Sequence, residues 1–391
     1  MNEPRIRENC RIALERLHSV HIRTIADSKG PVVYISDTYP GVWLEHVYDG
    51  LVWAQLTGDY APARSYISLF IDHQSEAGQL PCYVWAHKVG YTQIQECVSF
   101  GRIALEVCQA LEDAAFTEKV YRALVKWDAW LCEHRDGAGG LIDMYSGYDT
   151  GHDNSGRLDG MKYEGEAPAD GAYPHDCPVA PLKAPDMNAV FYGDRCALAE
   201  LAEMLGLAQD AFLWRALAQF TREKLLQVCW DEEDEFFYDV DKHGCKRRVR
   251  NISITNVFTE RVMDKAMADR VFDRYFRGGK EFDTPYPWPS VSSGDALFER
   301  RKEGNSWGYY CQALTMLRTL RWMKHYGYEE EMHRNMRIWL DAWTDAELPF
   351  GQELDPFTGK PSKSSPWYSS GLLFYLVSAK ELGIRTENCT Y

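Results

Sequence analysis

No stretch of the 391-residue chain approaches the roughly 18 consecutive apolar residues that a membrane span needs. The opening "MNEPRIRENC" lacks the apolar core of a secretory leader. Positive charge is scarce as well: 43 Lys and Arg against 58 Asp and Glu leave a formal net charge of −15. That excludes the basic face a nucleic acid or an anionic membrane would require. The eleven cysteines are odd in number, scattered and without a CxxC pair. Neither a zinc site nor a disulfide framework is expected, and the thiols read as reduced and mostly buried. No fixed-period repeat argues for a solenoid, and no long Pro, Ser or Gly linker divides the chain. These absences predict one domain over residues 1–391 in a cytoplasmic setting, with no cofactor, no metal and a small neutral ligand as partner. They leave the oligomeric state open.

Apolar residues, by contrast, make up 45% of the chain and aromatics 13%, enough for a large core. Helical periodicity runs through nearly all of it. From Asn188 to Leu205, Phe191, Leu198, Leu201, Ala202 and Leu205 recur at helical steps, with Asp186 as an N-cap and Gly206 as a stop. Residues 208–229 repeat the pattern, and further segments are predicted near 5–18, 41–56, 61–74, 91–111, 115–133, 251–258, 264–276, 305–325, 329–344 and 366–382. About twelve helices in consecutive pairs predict an all-α (α/α)6 toroid, six helices inside and six outside. Strand signals are few: "PVVYIS" (Pro31 to Ser36), and a β-hairpin in "DEFFYDVDKHGCKRRV" turning at His243-Gly244.

Three long connections interrupt this economy: Asp136 to Pro185, Lys280 to Asn305 and Glu347 to Pro366. Long structureless connections in a compact domain are usually functional. They carry Tyr148, Asp149, His152, Asp153 and Arg157, then Trp288, then Glu353, with Trp367 just beyond. Aromatic faces alternating with carboxylates suit a sugar, which offers C–H patches to rings and hydroxyls to planar polar groups. Trp288 in "YPWPS" reads evenly as core packing or ligand contact. A glycosidase needs two carboxyl groups flanking the scissile bond, one protonated and one ionised. Asp153 and Glu353 come from different loops, as that geometry demands. Taken singly, Asp153 reads as an Asx-turn residue and Glu353 as a solvated loop charge. His152 has no HxxxH or HExxH partner and reads as a hydrogen-bonding loop residue.

"SGYDTGHDNSGR" (Ser146 to Arg157) resembles an SG-x-DNSPR element, and "GQELDPFTGKPSKSSPWYSSGLLFYL" an E-x-x-x-P-x-TG … S-x-x-x-L-x-L element. Both belong to the inverting glycosidase family that includes processing α-glucosidase I and mannosylglycerate hydrolase, with trehalases as more distant relatives. "VWLEHVYDGLVWAQL", "TQIQECVSF", "PDMNAVFY", "CWDEEDEFFYDVD" and "PYPWPSVSSGDALF" agree in the family's order, so the resemblance covers about Val42 to Leu376. It implies the toroid with its long loops at one mouth, and an inverting hydrolase acting on an α-linked terminal sugar of a small glycoside. Asp153 would be the general acid and Glu353 the general base, with Trp43, Asp49, Gln93, Tyr148, Asp149, Asn154, Arg157, Trp307 and Trp367 binding the substrate.

Three departures bear on the substrate. "GNSWGYY" (Gly304 to Tyr310) replaces the family's Trp-Arg-Gly-Pro element, Gly156 replaces a proline, and the inserted "DTGH" leaves Asp149 as a rival acid. An N-acylglucosamine epimerase-like isomerase and a non-catalytic sugar-binding toroid stand as alternatives. The first would need a histidine pair that the sequence does not display.

Overall fold

A computed structural model describes residues 2–25, 27–85, 88–152, 154–163, 177–298, 306–344, 346 and 350–384. Its helices are α1 (Glu3–Arg16), α2 (Val47–Thr57), α3 (Ala61–Asp72), α4 (Phe100–Leu111), α5 (Ala114–His134), α6 (Pro185–Met204), α7 (Ala208–Cys229), α8 (Ile254–Thr259), α9 (Lys265–Tyr275), α10 (Ala313–Arg318), the single turn α11 (Met323–Tyr326), α12 (Glu329–Thr344) and α13 (Ser369–Glu381). Helices α2, α4, α6, α8, α10 with its following turn Thr319–Arg321, and α13 pack each against the next, and α13 returns to α2. They form a closed inner ring. Helices α1, α3, α5, α7, α9 and α12 back it from outside. The fold is the (α/α)6 toroid that the paired periodicity predicts.

Side-chain distribution explains which helices go inside. A ring helix has neighbours on both flanks, so it must be apolar nearly all round. Helix α2 buries nine of its eleven residues, and α13 buries every residue from Ser369 to Ala379. Helix α7 buries one stripe, Ala211, Trp214, Ala218, Thr221, Leu225 and Cys229, at steps of three and four. That is the signature of a cover helix. Gly50 lets α2 and α3 approach closely, since a Cβ there would lie 3.1 Å from the Cα of Ala63. Trp288, read evenly from sequence, belongs to the core, where it packs against Phe276 and Trp322 at ring separations of 5.0 and 5.7 Å.

Helix α6 starts at Pro185, slightly ahead of its periodicity, but three other inner helices begin well after theirs, each at the same end of the ring. Helix α2 starts at Val47, not at 41, because Gly41–Trp43 is a strand paired with Tyr83–Trp85, which pairs in turn with Lys88–Gly90. Helix α4 starts at Phe100, where the Ser99 hydroxyl accepts the Arg102 N–H and caps it; residues 91–99 are loop. Helix α10 starts at Ala313, because Cys311–Gln312 pairs with Glu353–Leu354. Local propensity gives way there to pairing with a distant segment. The hairpin expected at His243-Gly244 is present, pairing Asp239–Val240 with Lys246–Arg247, and Val32–Val33 pairs with Ile22–Arg23. No helix among the described residues is long and apolar enough to cross a membrane.

Candidate active site

A cavity of about 100 Å³ opens at the mouth formed by the N-terminal ends of the inner helices. Trp43, Glu45 and His46 reach it from just before α2, Gln95 from before α4, Tyr148 and Gly151 from the long loop before α6, and Trp307 from before α10; Gln352 and Tyr368 come from before α13. The first and third long connections therefore contribute to one site, which Trp307 reaches from two residues past the second. Three of its walls are aromatic. Trp43 meets Tyr83 at a tilt, with centroids 4.8 Å apart, and Trp85 edge-on at 5.8 Å. The Tyr368 hydroxyl lies 2.5 Å from His46 Nε2, in a hydrogen bond. Trp307 lies flat on the His152 ring, with centroids 4.1 Å apart and planes 15° apart. Burial holds both histidines in the neutral form, His152 with its pKa pushed down to about 3 and His46 well below its usual range.

Glu353 is fully buried and is not among the residues that line the cavity. The register of its strand sets Glu353 opposite Gln312, so the Gln312 side-chain amide donates to Oε1 at 2.8 Å. The Ser306 N–H donates to the same oxygen at 2.8 Å, and the Ser362 hydroxyl to Oε2 at 2.6 Å. Every one of these donors is neutral. Burial pushes the pKa of Glu353 above the ordinary value, and the hydrogen bonds from Ser362, Gln312 and Ser306 pull it back. Asp153 lies outside the described residues. Its chain neighbour His152 touches Trp307, whose own neighbour Ser306 holds Glu353, so the loop bearing one carboxyl abuts the loop that orients the other.

The other sequence-derived site residues divide. Trp43, Tyr148 and Trp307 line the cavity. Asp149 is fully buried and surrounded by five donors: Arg135 Nη1 and Nη2 at 2.7 and 3.3 Å, and the N–H groups of Ile94, Tyr145 and Ser146 at 3.0, 2.8 and 3.1 Å. It is an acceptor hub that ties loop 92–99 to the long loop. Arg157 is equally buried, its guanidinium gripping Asp186 at 2.8 and 3.0 Å and Asp239 at 2.9 and 2.5 Å. Asp49 takes the hydroxyls of Ser369 at 2.6 Å and Ser370 at 2.9 Å, which locks α2 to the first turn of α13. Gln93 is buried beside the Thr92 hydroxyl. Asn154 is exposed at a left-handed φ of 59°, and Trp367 packs on Phe350 at 5.7 Å under the Arg16 guanidinium. Of these last six, none borders the cavity among the described residues.

Tyr39, Glu45, His46, Gln95 and Gln352 also line the cavity and escaped the sequence reading. Glu45 keeps 16% of its side chain exposed, and burial pushes its pKa up to about 7, against the pull of Arg318. Gly151 lets the long loop come down on it: its φ is +67°, and a Cβ would meet Glu45 Oε2 at 2.7 Å and Cys97 Sγ at 2.8 Å. Arg318 in turn donates to the carbonyls of Glu45 and Cys97 at 2.7 and 3.1 Å, fixing both entry segments. Gln95, at a φ of 48°, has its amide oxygen buried without a partner among the described residues. The available signal was position, since Glu45 is two residues from Trp43 and Gln95 two from Gln93. Among the described residues no group of three His, Cys, Asp or Glu side chains is arranged to hold a metal ion.

Comparison with known proteins agrees with this geometry. The family described as the mannosylglycerate hydrolase MGH1-like glycoside hydrolase domain matches residues 47–369. Among solved structures, the fold is similar to the GH63 mannosylglycerate hydrolase of Thermus thermophilus in complex with Tris, with a TM-score of 0.75 at 17% identity over 95% of this chain and 100% of that one. It is also similar to the neutral trehalase of Saccharomyces cerevisiae (TM-score 0.68, 15% identity, 92% and 76% covered) and to a rhamnosidase from Klebsiella oxytoca (0.63, 14%, 98% and 65%). No curated protein sequence matches the chain. The chain belongs to the MGH1-like glycoside hydrolase family, and it is a glycoside hydrolase.

Proposed function

We propose that this hydrolase releases one terminal α-linked sugar from a small glycoside with inversion, using Asp153 as general acid and Glu353 as general base. The observation that carries this reading is the contact chain from His152 through Trp307 and Ser306 to Glu353. It brings the loop of one carboxyl against the support of the other. Glu353 takes a proton from water as the water oxygen bonds the anomeric carbon. Asp153 gives its proton to the glycosidic oxygen as that bond breaks. Room for the water requires the two carboxyl groups to stand roughly 6.5–9.5 Å apart.

The neutral donors around Glu353 suit a base, because they orient the carboxylate without supplying the fixed positive charge that would make it a poor proton acceptor. Trp43, Trp307 and Tyr148 would hold the sugar's C–H faces, and Glu45 and Gln95 its hydroxyls. A cavity of about 100 Å³ fits a single ring better than a polymer. Proton NMR on fresh product from α-linked glucosides and mannosides tests the proposal: the β-anomer should appear first. Initial release of the α-anomer, or efficient internal cleavage of a polysaccharide, would overturn it.

A further inference from the structure

The inner ring encloses a second cavity, of about 520 Å³, at the opposite end, where its helices finish. Gln55 of α2, Gln109 of α4, Glu200 of α6, Arg261 after α8, Arg321 after α10 and Lys380 of α13 all border it, so every inner helix contributes. Six helix C-termini each present a partial negative charge. Basic side chains are expected there as a counterweight, so positive charge alone argues for no ligand.

Unused donor capacity does. The Arg321 side chain is only 9% exposed; its Nη1 meets Glu106 at 3.0 Å, and its guanidinium lies 5.1 Å over the Tyr48 ring. Its Nε is buried with no hydrogen-bond partner among the described residues. Arg102, also on the cavity wall, spends only Nε on Glu260, at 2.6 Å, so both Nη groups face no acceptor among the described residues. Arg261 makes no ion pair among them either. Arg102 and Arg261 bring guanidinium N–H groups without acceptors among the described residues to the same cavity as Arg321, and planar forks of this kind suit the three terminal oxygens of a phosphoryl group, whereas a carboxylate offers two. Around them Gln55, Gln109 and Glu200 supply partners for hydroxyls, over an apolar floor that includes Val52 and Val377.

We infer that this rear cavity binds a small hydroxylated phosphate monoester, a sugar phosphate in size and chemistry, with its phosphoryl group among Arg102, Arg261 and Arg321. The site is separate from the glycosidase cavity, and its occupation does not depend on the reaction proposed there. Because the chain as a whole carries −15, long-range attraction contributes nothing. Recognition rests on these short contacts and weakens with salt.

Isothermal titration of the full chain with glucose 6-phosphate, and separately with inorganic phosphate, tests the inference. The expected result is saturable one-to-one binding of the ester, tighter than phosphate, and weakened at least tenfold by R321Q and by R261A. Arg261 is exposed, so R261A keeps the test valid should R321Q unfold. Binding should survive W307F, which alters the other mouth. Absence of saturable binding, affinity unchanged in both arginine variants, phosphate binding as tightly as the ester, or loss of binding in W307F would each overturn it.

Discussion

Two buried regions at the catalytic mouth hold carboxylates in opposite ways. Around Glu353, every hydrogen-bond donor is neutral: a backbone N–H, an amide and a hydroxyl. Along the segment from Arg135 to Arg157 three fully buried carboxylates face guanidinium groups, Asp149 facing Arg135, and Asp186 and Asp239, from later in the chain, facing Arg157. The electrostatics follow. Arg157 holds the carboxyl of Asp186 below the usual range despite complete burial, while burial outweighs the same guanidinium at Asp239 and raises it, as it raises Glu353 with no cation to oppose it. A carboxylate pinned by a buried cation is a poor proton carrier and a good strut. One held by neutral dipoles keeps its freedom to exchange a proton. The mouth thus sets carboxylates braced by cations beside Glu353, which neutral donors alone hold.

The sharpest test of that division is Glu353→Gln. The amide keeps the shape and accepts the Ser306 and Gln312 donors, but it cannot take a proton. Activity should fall on the order of 10²–10⁴-fold while the melting temperature changes little, as steady-state assays and thermal unfolding would show. Asp153→Asn should lose activity to the same degree. Full activity in either variant would remove that residue from the mechanism.

Arg157→Leu should do the reverse. It strands Asp186 and Asp239 in the core without their cation, and uncompensated buried charge of this kind costs about 3–5 kcal/mol. A loss of about 4–6 °C in Tm is expected, with kcat of the surviving folded fraction largely retained. If Arg157→Leu instead melted like the parent and lost only activity, the residue would be a substrate contact, as the resemblance implies.

That reversal marks where the sequence could be read and where it could not. The ring was legible because each helix carries its own period: α7 at 208–229 and α12 at 329–344 stand where the apolar spacing puts them. The entry segments were not, since residues 41–46, 91–99 and 306–312 carry helix-like spacing but pair or pack with segments tens to hundreds of residues away. Motif similarity brought out Trp43 and Trp307, which line the cavity. Within a motif it could not tell a side chain facing the cavity from one facing the core, so Asp49 and Gln93 were preferred to Glu45 and Gln95, two to four residues off. That distinction depends on a turn of 3-10 helix at Leu44–His46 and a left-handed residue at Gln95.

Trp307 bridges the two regions, and replacing it with phenylalanine shortens the bridge without opening a large hole. The stack on His152 and the wall toward the sugar both weaken. Aromatic contacts of this kind contribute about 0.5–1.5 kcal/mol beyond area, so kcat/KM should fall roughly two- to twelvefold. An unchanged kcat/KM would mean that neither the stack nor the wall serves catalysis.

The smallest expected effect extends the comparison to the fold as a whole. Asp49, held by two serine hydroxyls, has its pKa raised by burial to about 6, and Asp194, held by the Ser99 hydroxyl and the Gly101 N–H, has its pKa raised to about 7. Both are neutral-held. For such groups the folded chain binds protons more tightly than the unfolded one, whose aspartates titrate near 4. Between about pH 4 and 7 the native state therefore keeps protons that the unfolded state has released. Raising the pH through that window removes stability. Asp186 works in the opposite direction: its lowered pKa contributes stability above about pH 4 that is lost only in stronger acid. The share of stability that these aspartates carry should accordingly decline from mildly acidic buffer toward pH 7.5, against the opposite share of the buried neutral His46 and His152, which unfolding lets charge below about pH 6.5. Asp194→Asn keeps an acceptor for Ser99 and Gly101 but removes one titrating group, so it should flatten the decline by on the order of 1 kcal/mol, a few degrees in Tm. Melting curves at pH 5.5 and 7.5 for parent and variant decide it, and parallel declines in the two would show that Asp194 does not titrate in this range.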